Sequence, residues 1–116
     1  MLEEIESMGA RERRELINRL AILLAHLLKW QYQPSFRGRS WQLTIKEQRR
    51  QLERYLKDNP SLHARIEEFI ADSYMDSVLI AAKETGMDES AFSVQCPYSE
   101  NDLLDLEFYP GSRQGE

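Results

Sequence analysis

Three side chains have the chemistry of soft metal ligands, or of a nucleophile with its base: His26, His63 and Cys96. A structural zinc site needs about four ligands at short, characteristic spacings. The sequence has no Cys-x-x-Cys, His-x-x-x-His or Glu-x-x-His motif. His63 and Glu67 are four residues apart, a spacing typical of a surface contact on one helix face. We therefore predict neither a metal ion nor a cofactor.

A catalytic cysteine would need a histidine base within hydrogen-bond reach and a third group that orients the base. The residues around Cys96 match no nucleophile motif, and Gly38 stands alone rather than in a glycine-rich phosphate loop. Asp76 falls at the edge of the inner face of its predicted helix. Pairing with Arg19 or Arg37 is a simpler role for Asp76 than acid–base catalysis. We assign no catalytic residue.

The most distinctive stretch is residues 29–41, which hold both tryptophans, four of the eleven aromatic residues and three basic residues. Aromatic rings interleaved with Arg and Lys can stack on nucleic-acid bases, and they are also the usual anchors of protein interfaces. A third interpretation is structural. In it, Trp30 and Trp41 close the corner between two helices, with Arg37 or Arg39 stacked on a ring. The structural interpretation is favoured, followed by a protein interface and then by nucleic acid.

A basic stripe follows this stretch, because Lys46, Arg50, Arg54 and Lys57 recur at helical spacing. Residues 11–65 carry thirteen Lys and Arg against five acids, whereas residues 66–116 carry two against twelve. A basic region can bind an anionic partner, but the simpler interpretation is that the two parts pack together and neutralise each other. The candidate contact residues for a protein or nucleic-acid partner are Lys29, Trp30, Tyr32, Phe36, Arg37, Arg39, Trp41, Lys46, Arg50, Arg54 and Lys57.

Apolar residues recur with the period of a helix, and no segment shows the alternation of a β-strand. The central helix is predicted over residues 10–31, with Arg11, Ala21, Ala25 and Lys29 opposite its apolar arc. A short helical turn over residues 2–8 would precede it and end at Gly9. The arc consists of Leu16, Ile17, Leu20, Leu23, Leu24, Leu27, Leu28 and Trp30.

Two more long helices and a short one follow. The second is predicted over residues 41–57 with Ser40 as its cap, and the third over residues 61–85 with Gly86 after its end. Ser99 is predicted to cap the short helix. The fold class is therefore all-α: a compact helical bundle of three long helices plus short flanking N- and C-terminal helices. It is expected to form a single domain over residues 1–110, with a frayed tail over residues 111–116.

The third predicted helix carries apolar side chains on its far side as well, at Met75, Val78, Leu79 and Ala82. A soluble protein seldom leaves such a patch exposed. The C-terminal segment is the expected cover, and a second copy of the chain is the alternative, so a homodimer is predicted as readily as a monomer. The covering residues would be Leu103, Leu104, Leu106 and Phe108.

Seven short runs occur in order along the chain: 26–34 (HLLKWQYQP), 39–41, 45–50, 60–62, 85–86, 96–98 and 108–110. In these runs the sequence resembles domain-of-unknown-function family 29 of bacterial proteins, and the resemblance spans nearly the whole chain. It implies a small, all-helical protein and supplies no activity, cofactor or catalytic residue. Family members usually have a further helical segment before a start like Met1–Ile5. This chain is therefore expected to be a short member or to lack that segment.

The composition is that of a soluble globular protein, with 41% hydrophobic and 30% charged residues and no apolar run long enough to span a membrane. A single cysteine suits a reducing compartment, so we expect a cytoplasmic protein. The leading hypothesis is a non-catalytic protein-interaction module with an unknown protein partner. The alternatives are a nucleic-acid-binding protein that uses the basic residues of 37–57 and an enzyme with a site near His26.

Overall fold

The computed structural model describes the backbone of residues 2–111 and the side chains of residues 9–111. Within that range the protein is helical and has no strand, as predicted. Short 3₁₀ turns lie at Pro34–Phe36 and Glu89–Ala91. The α-helices are α1 (Leu2–Tyr32), α2 (Arg39–Asp58), α3 (Pro60–His63), α4 (Ile66–Thr85) and α5 (Glu100–Leu104).

The long helix α1 lies between α2 and α4 and packs against both. α2 runs antiparallel to α1. This orientation is shown by the hydroxyl of Tyr55, near the end of α2, which donates a hydrogen bond of 2.9 Å to the Glu12 carbonyl in the first half of α1. α4 runs parallel to α1, because Lys29 and Glu84 lie near the C-terminal ends of their helices and form an ion pair of 2.7 Å. The bundle is elongated, with extents of 52 × 28 × 22 Å.

α1 begins earlier than predicted and is buried on more sides. The helix continues through Gly9, which keeps a negative φ, so the predicted stop there was wrong. A glycine inside a helix costs only about 1 kcal/mol relative to alanine, too little to end a helix of this length. Of the residues predicted opposite the apolar arc, Arg11 is exposed, but Ala21, Ala25 and Lys29 are buried, because α4 and α2 cover the helix from two directions.

α2 presents to the core Ile45, Arg49, Leu52 and Leu56, which lie three or four residues apart on one face. It begins at Arg39 rather than Trp41. Its N-cap is Gly38, and no side chain caps the helix, so the predicted Ser40 cap was wrong. The inward position of an arginine in an otherwise apolar row is the main departure from the predicted pattern.

The third predicted helix is interrupted near its start. α3 ends at His63, and α4 begins at Ile66 after a turn at residues 64 and 65. Its end agrees with the prediction, because Gly86 follows in the left-handed conformation with φ 78°. Ser73 and Ser77 are fully buried, and their small side chains allow another helix to approach closely. α1 is the helix that packs most extensively on α4.

The segment after Gly86 returns along the bundle and completes the core. The Phe92 ring packs on Tyr32 with centroids 4.8 Å apart, and the buried Tyr98 hydroxyl donates to the Gln31 side chain at 2.5 Å. α5 then follows Ser99, its N-cap, whose hydroxyl and backbone N–H both pair with Asp102, confirming the predicted cap. Leu103 in α5 is fully buried.

The C-terminal segment does not cover the far side of α4. Leu103 is buried, but Met75 and Leu79 on α4 remain 58% and 50% exposed, so the predicted cover was wrong for these two. Val78 is buried, and it lines a groove together with Phe92. The end of the C-terminal segment instead packs on α1, where the centroid of the Tyr109 ring lies 4.9 Å from that of the Trp30 ring. Residues 112–116 of the predicted frayed tail lie outside the described residues.

The buried face of α1 can be tested with a matched pair of substitutions. Leu24 is fully buried, whereas Ile22, two residues earlier on the same helix, is 39% exposed. Leu24→Asp places an unpaired charge in the core and should cost several kcal/mol of the 5–15 kcal/mol typical of a small domain. We expect a molten or insoluble variant, as judged by circular dichroism and thermal melting.

Ile22→Asp introduces the same charge on the exposed side and should cost about 1 kcal/mol. Equal losses of melting temperature in the two variants would contradict the assignment of the buried face.

Candidate functional site

The aromatic and basic stretch at residues 29–41 forms the corner between α1 and α2. Trp30 is buried, and its ring packs on Tyr109. Arg37 folds back over Trp30, with its Nε donating to the Trp30 carbonyl at 2.7 Å and its guanidinium carbon 5.4 Å from the ring centroid. Arg37 therefore stacks on the Trp30 ring, as the structural interpretation predicted for one of two arginines, whereas Trp30 and Trp41 pack on different rings, those of Tyr109 and Phe36.

Lys29 and Tyr32 are also engaged within the protein. The Lys29 ammonium donates to Glu84 at 2.7 Å and lies 5.1 Å from the centroid of the Trp41 ring. This hydrogen bond from Lys29 is the main reason why the pKa of Glu84 is lowered. Tyr32 packs on Phe92. These side chains hold α4, α2 and the returning segment to the end of α1.

Phe36 is the one aromatic residue of the predicted contact set that is largely exposed, at 64%. Its ring lies 6.5 Å from that of the half-buried Trp41. A row of accessible rings is what single-stranded nucleic acid needs for stacking. The corner does not offer such a row, because its other rings pack against side chains of the protein itself. Trp30 packs on Tyr109, Tyr32 on Phe92, and Trp41 against the Lys29 ammonium.

The basic stripe on α2 is accessible. Lys46, Arg50, Arg54 and Lys57 are all exposed, and so is Arg39, about two helical turns before Lys46. Among the residues whose side chains are described, none of these five forms an ion pair with a carboxylate. The expected neutralisation by the acidic half of the chain therefore does not extend to this side of α2.

A groove of about 460 Å³ runs between α2 and the C-terminal segment. We call it the basic groove, and its floor includes two exposed leucines, Leu43 (54%) and Leu106 (44%). Sequence analysis missed Leu43, although it lies on the stripe at helical spacing from Lys46 and Arg50. The groove is lined by Arg39, Gln42, Leu43, Lys46, Arg50, Leu106, Glu107 and Tyr109.

Arg49 lies on the opposite side of α2 from Arg54 and is almost fully buried. Its Nε donates to the Leu103 carbonyl and its Nη2 to the Asp102 carbonyl, both at 2.8 Å. Its guanidinium carbon lies 5.6 Å from the centroid of the Tyr109 ring. Burial lowers the pKa of Arg49, and nearby Tyr109, Asp105 and Asp102 partly oppose that shift. The spacing of Arg49 from Ile45 and Leu52 on the apolar face was the signal in the sequence.

The three residues with candidate chemistry, His26, His63 and Cys96, each bond to a different partner and not to one another. The Nδ1 of His26 bonds the Ile22 carbonyl at 2.9 Å, one turn earlier on α1. His63 pairs with Glu100 at 2.9 Å rather than with Glu67, because the turn at residues 64 and 65 separates His63 from α4. The Cys96 thiol donates to the Tyr98 carbonyl at 3.4 Å, and burial raises its pKa.

Asp76 was expected to pair with Arg19 or Arg37, and that expectation was wrong. Asp76 is exposed on α4. Arg19 instead contacts Glu15 on its own helix and Gln51 on α2, while Arg37 bonds the Trp30 carbonyl. In the described part of the chain, no group of three or more His, Cys, Asp or Glu residues is arranged to hold a metal ion. None of the described helices is long and apolar enough to cross a membrane.

These features define a small, all-helical protein with one apolar core, an aromatic corner and an open basic groove. The chain belongs to the family described as domain of unknown function DUF29, whose model matches residues 1–109. The comparisons with curated proteins and with solved structures each found no match. Several of the runs that carry the family resemblance, at residues 26–34, 96–98 and 108–110, contain residues that pack together at the corner and against the end of α1.

The role of Arg49 can be separated from that of its neighbour Arg50, which is exposed and has no described partner. Arg49→Met fills a similar space but leaves the buried Leu103 carbonyl and the partly buried Asp102 carbonyl without their donor. We expect a loss of about 2 kcal/mol, because unsatisfied buried acceptors cost more than the desolvation of the guanidinium returns. Urea unfolding measures this loss, and amide exchange across α5 should accelerate in the folded variant.

Arg50→Met should change stability by less than about 0.5 kcal/mol. An Arg49→Met variant as stable as the wild type, with unchanged exchange in α5, would show that Arg49 does not hold the C-terminal segment in place.

Proposed function

We propose that this protein is a non-catalytic protein-interaction module and that its docking surface is the basic groove. The observation that carries the proposal is the pairing of unneutralised charge with exposed apolar surface. Arg39, Lys46 and Arg50 line the groove without a carboxylate ion pair among the described residues, and Leu43 and Leu106 are exposed between them. A protein segment with acidic and apolar side chains meets both requirements.

Each part of the groove contributes differently to binding. Covering the exposed half of Leu43 would stabilise a complex by about 1 kcal/mol, since a fully buried leucine contributes roughly 1.5–3 kcal/mol. The basic residues would mainly accelerate association and reject basic partners. An amphipathic helix, with leucines facing Leu43 and acids facing Lys46 and Arg50, is therefore the kind of segment that fits best.

A nucleic-acid partner is the weaker alternative. The rings that would stack on bases are packed inside the corner, apart from Phe36. Two carboxylates also stand among the bases: Glu107 lines the basic groove, and Glu47 lies beside Lys46 and Arg50. A phosphate backbone laid along the stripe would meet these like charges, whereas a protein segment can place a neutral or basic side chain opposite them.

We also propose that the protein works in a bacterial cytoplasm. The family resemblance supports a bacterial source. The single cysteine, Cys96, is half-buried, and its raised pKa favours the unreactive thiol, which suits a reducing compartment. The proposal of an enzyme with a site near His26 has no comparable support, since the described hydrogen bond of the His26 ring is to its own helix.

The experiment is fluorescence anisotropy with three labelled probes at low protein concentration. The probes are a synthetic amphipathic helical peptide of leucine and glutamate, a single-stranded oligonucleotide and a duplex of similar net charge. We expect the peptide to bind the wild type more tightly than either oligonucleotide. Leu43→Ser should weaken peptide binding by about fivefold, since the apolar contact that is lost contributes about 1 kcal/mol.

Two charge reversals complete the test. Arg50→Glu should weaken peptide binding by at least about tenfold, whereas the matched reversal Lys83→Glu, outside the groove on α4, should change it less than about twofold. The proposal is overturned if the peptide fails to bind. It is also overturned if an oligonucleotide binds more tightly, depends on Arg50 but not on Leu43, and loses affinity steeply with salt, with a log–log slope of about 0.7–0.9 per phosphate contact.

A further inference from the structure

A second exposed apolar surface lies on α4, on the other flank of the bundle. Met75 and Leu79 are at least half exposed, and the nearby Val94 is almost fully exposed. Met75 and Val94 line a groove of about 530 Å³ whose wall includes the buried side chains of Val78 and Phe92. We call this surface the acidic patch, because most of the charges around it are carboxylates; the exposed Lys83, one turn after Leu79, is the exception.

The rim of the acidic patch is formed by two pairs of exposed acids. Asp72 and Asp76 lie one turn apart on α4, at helical spacing from Met75 and Leu79. Asp88 and Glu89 line the groove beside Met75. α4 as a whole carries five acids and one base, Lys83. Contiguous apolar surface with a charged rim is the usual mark of a binding site for another protein.

The acidic patch and the basic groove complement each other in three respects. Each has exposed apolar side chains at its centre, Leu43 on one and Met75 and Leu79 on the other. Their rims carry opposite charge. The spacing also agrees, because Asp72 and Asp76, like Lys46 and Arg50, are four residues apart, or about 6 Å along the helix axis.

We propose that the acidic patch of one molecule docks into the basic groove of a second copy of this chain. This inference rests on the proposed function, since it names the acidic, apolar segment that the groove receives. Leu79 and Met75 would pack against Leu43, with Asp72 and Asp76 facing Lys46 and Arg50. Burial of the apolar residues would exclude water from the contact, and the opposed charges would set its register.

The same charges disfavour a symmetric dimer formed through either surface alone. A two-fold contact through α4 would bring Asp72 and Asp76 of one copy close to the same pair on the other, and a two-fold contact through α2 would do so for Lys46 and Arg50. Like charges brought together in this way are destabilising. The contact is therefore between two different surfaces. Because these surfaces lie on opposite flanks of the bundle, a dimer as a whole retains one free groove and one free patch, so assembly continues beyond a dimer.

The test uses the full chain in light scattering, with matched substitutions at two half-exposed leucines. The wild-type average mass should rise with concentration from the 13.7 kDa of the monomer past that of a dimer, over roughly 10 µM to 1 mM, and should fall when salt screens the charges. Leu79→Asp disables the patch and Leu43→Asp disables the groove, so each variant alone should stay a monomer. Circular dichroism checks that both remain folded.

The decisive sample is an equal mixture of the two variants. Leu79→Asp keeps an intact groove and Leu43→Asp keeps an intact patch, so the mixture should form one contact per pair. It should stop at twice the 13.7-kDa monomer mass. In a symmetric dimer through α4, the Leu43→Asp variant would instead be dimeric by itself, and mixing the two variants would form no additional complex. That result would overturn the proposal.

A wild type that stays monomeric at all concentrations would also overturn the proposal. The anisotropy experiment separates this failure from that of the proposed function. If the wild type is monomeric but its groove still binds the acidic peptide, the interaction module stands and the second copy is not its partner. If neither is observed, both proposals fail.

Discussion

The whole architecture follows from one constraint, the need to cover a helix that is apolar in nearly every direction. Between Leu20 and Trp30, α1 exposes little besides Ile22 and part of His26. One neighbouring helix can cover only one side of such a cylinder, so α2, α4 and the returning C-terminal segment are all required. The short loops place α2 and α4 on either side of α1, and the segment from Phe92 to Tyr109 closes what remains.

A buried arginine fixes where that closing segment lies. Apolar contacts alone would not fix the register of the segment, because the hydrophobic effect has no preferred direction and one leucine can replace another in such a contact. Arg49 instead offers two directed N–H groups to two particular carbonyls, those of Asp102 and Leu103, and stacks beside Tyr109. Desolvation of a guanidinium is costly, and it is offset only when those acceptors are in place. The arginine therefore contributes more to the position of the segment than to the net stability of the fold.

The sequence was sufficient for features set by local chemistry and insufficient for those set by contacts distant in the chain. The helical class, the left-handed Gly86 and the Ser99 cap follow from periodicity and turn chemistry, and all three were predicted. The break before Ile66 and the burial of Ala21 were not, because both depend on where α4 and α1 meet. For the candidate site, the stripe of basic residues was predictable from spacing. Two other features could be seen only in the packed structure. Leu43 is exposed beside Leu106, and the rings of Trp30 and Tyr32 pack inside the protein and are not available to a partner.

The closure of α1 by the C-terminal segment also orders events during synthesis. The most apolar helix of the protein leaves the ribosome early, yet the Tyr98 side chain that bonds the Leu27 carbonyl is translated 71 residues later. A helical protein usually folds through contacts between near neighbours, but here the last layer of the core is supplied by a segment 71 residues further along the chain. Part of the leucine-rich surface of α1 therefore stays uncovered during synthesis until the segment around Tyr98 has been made.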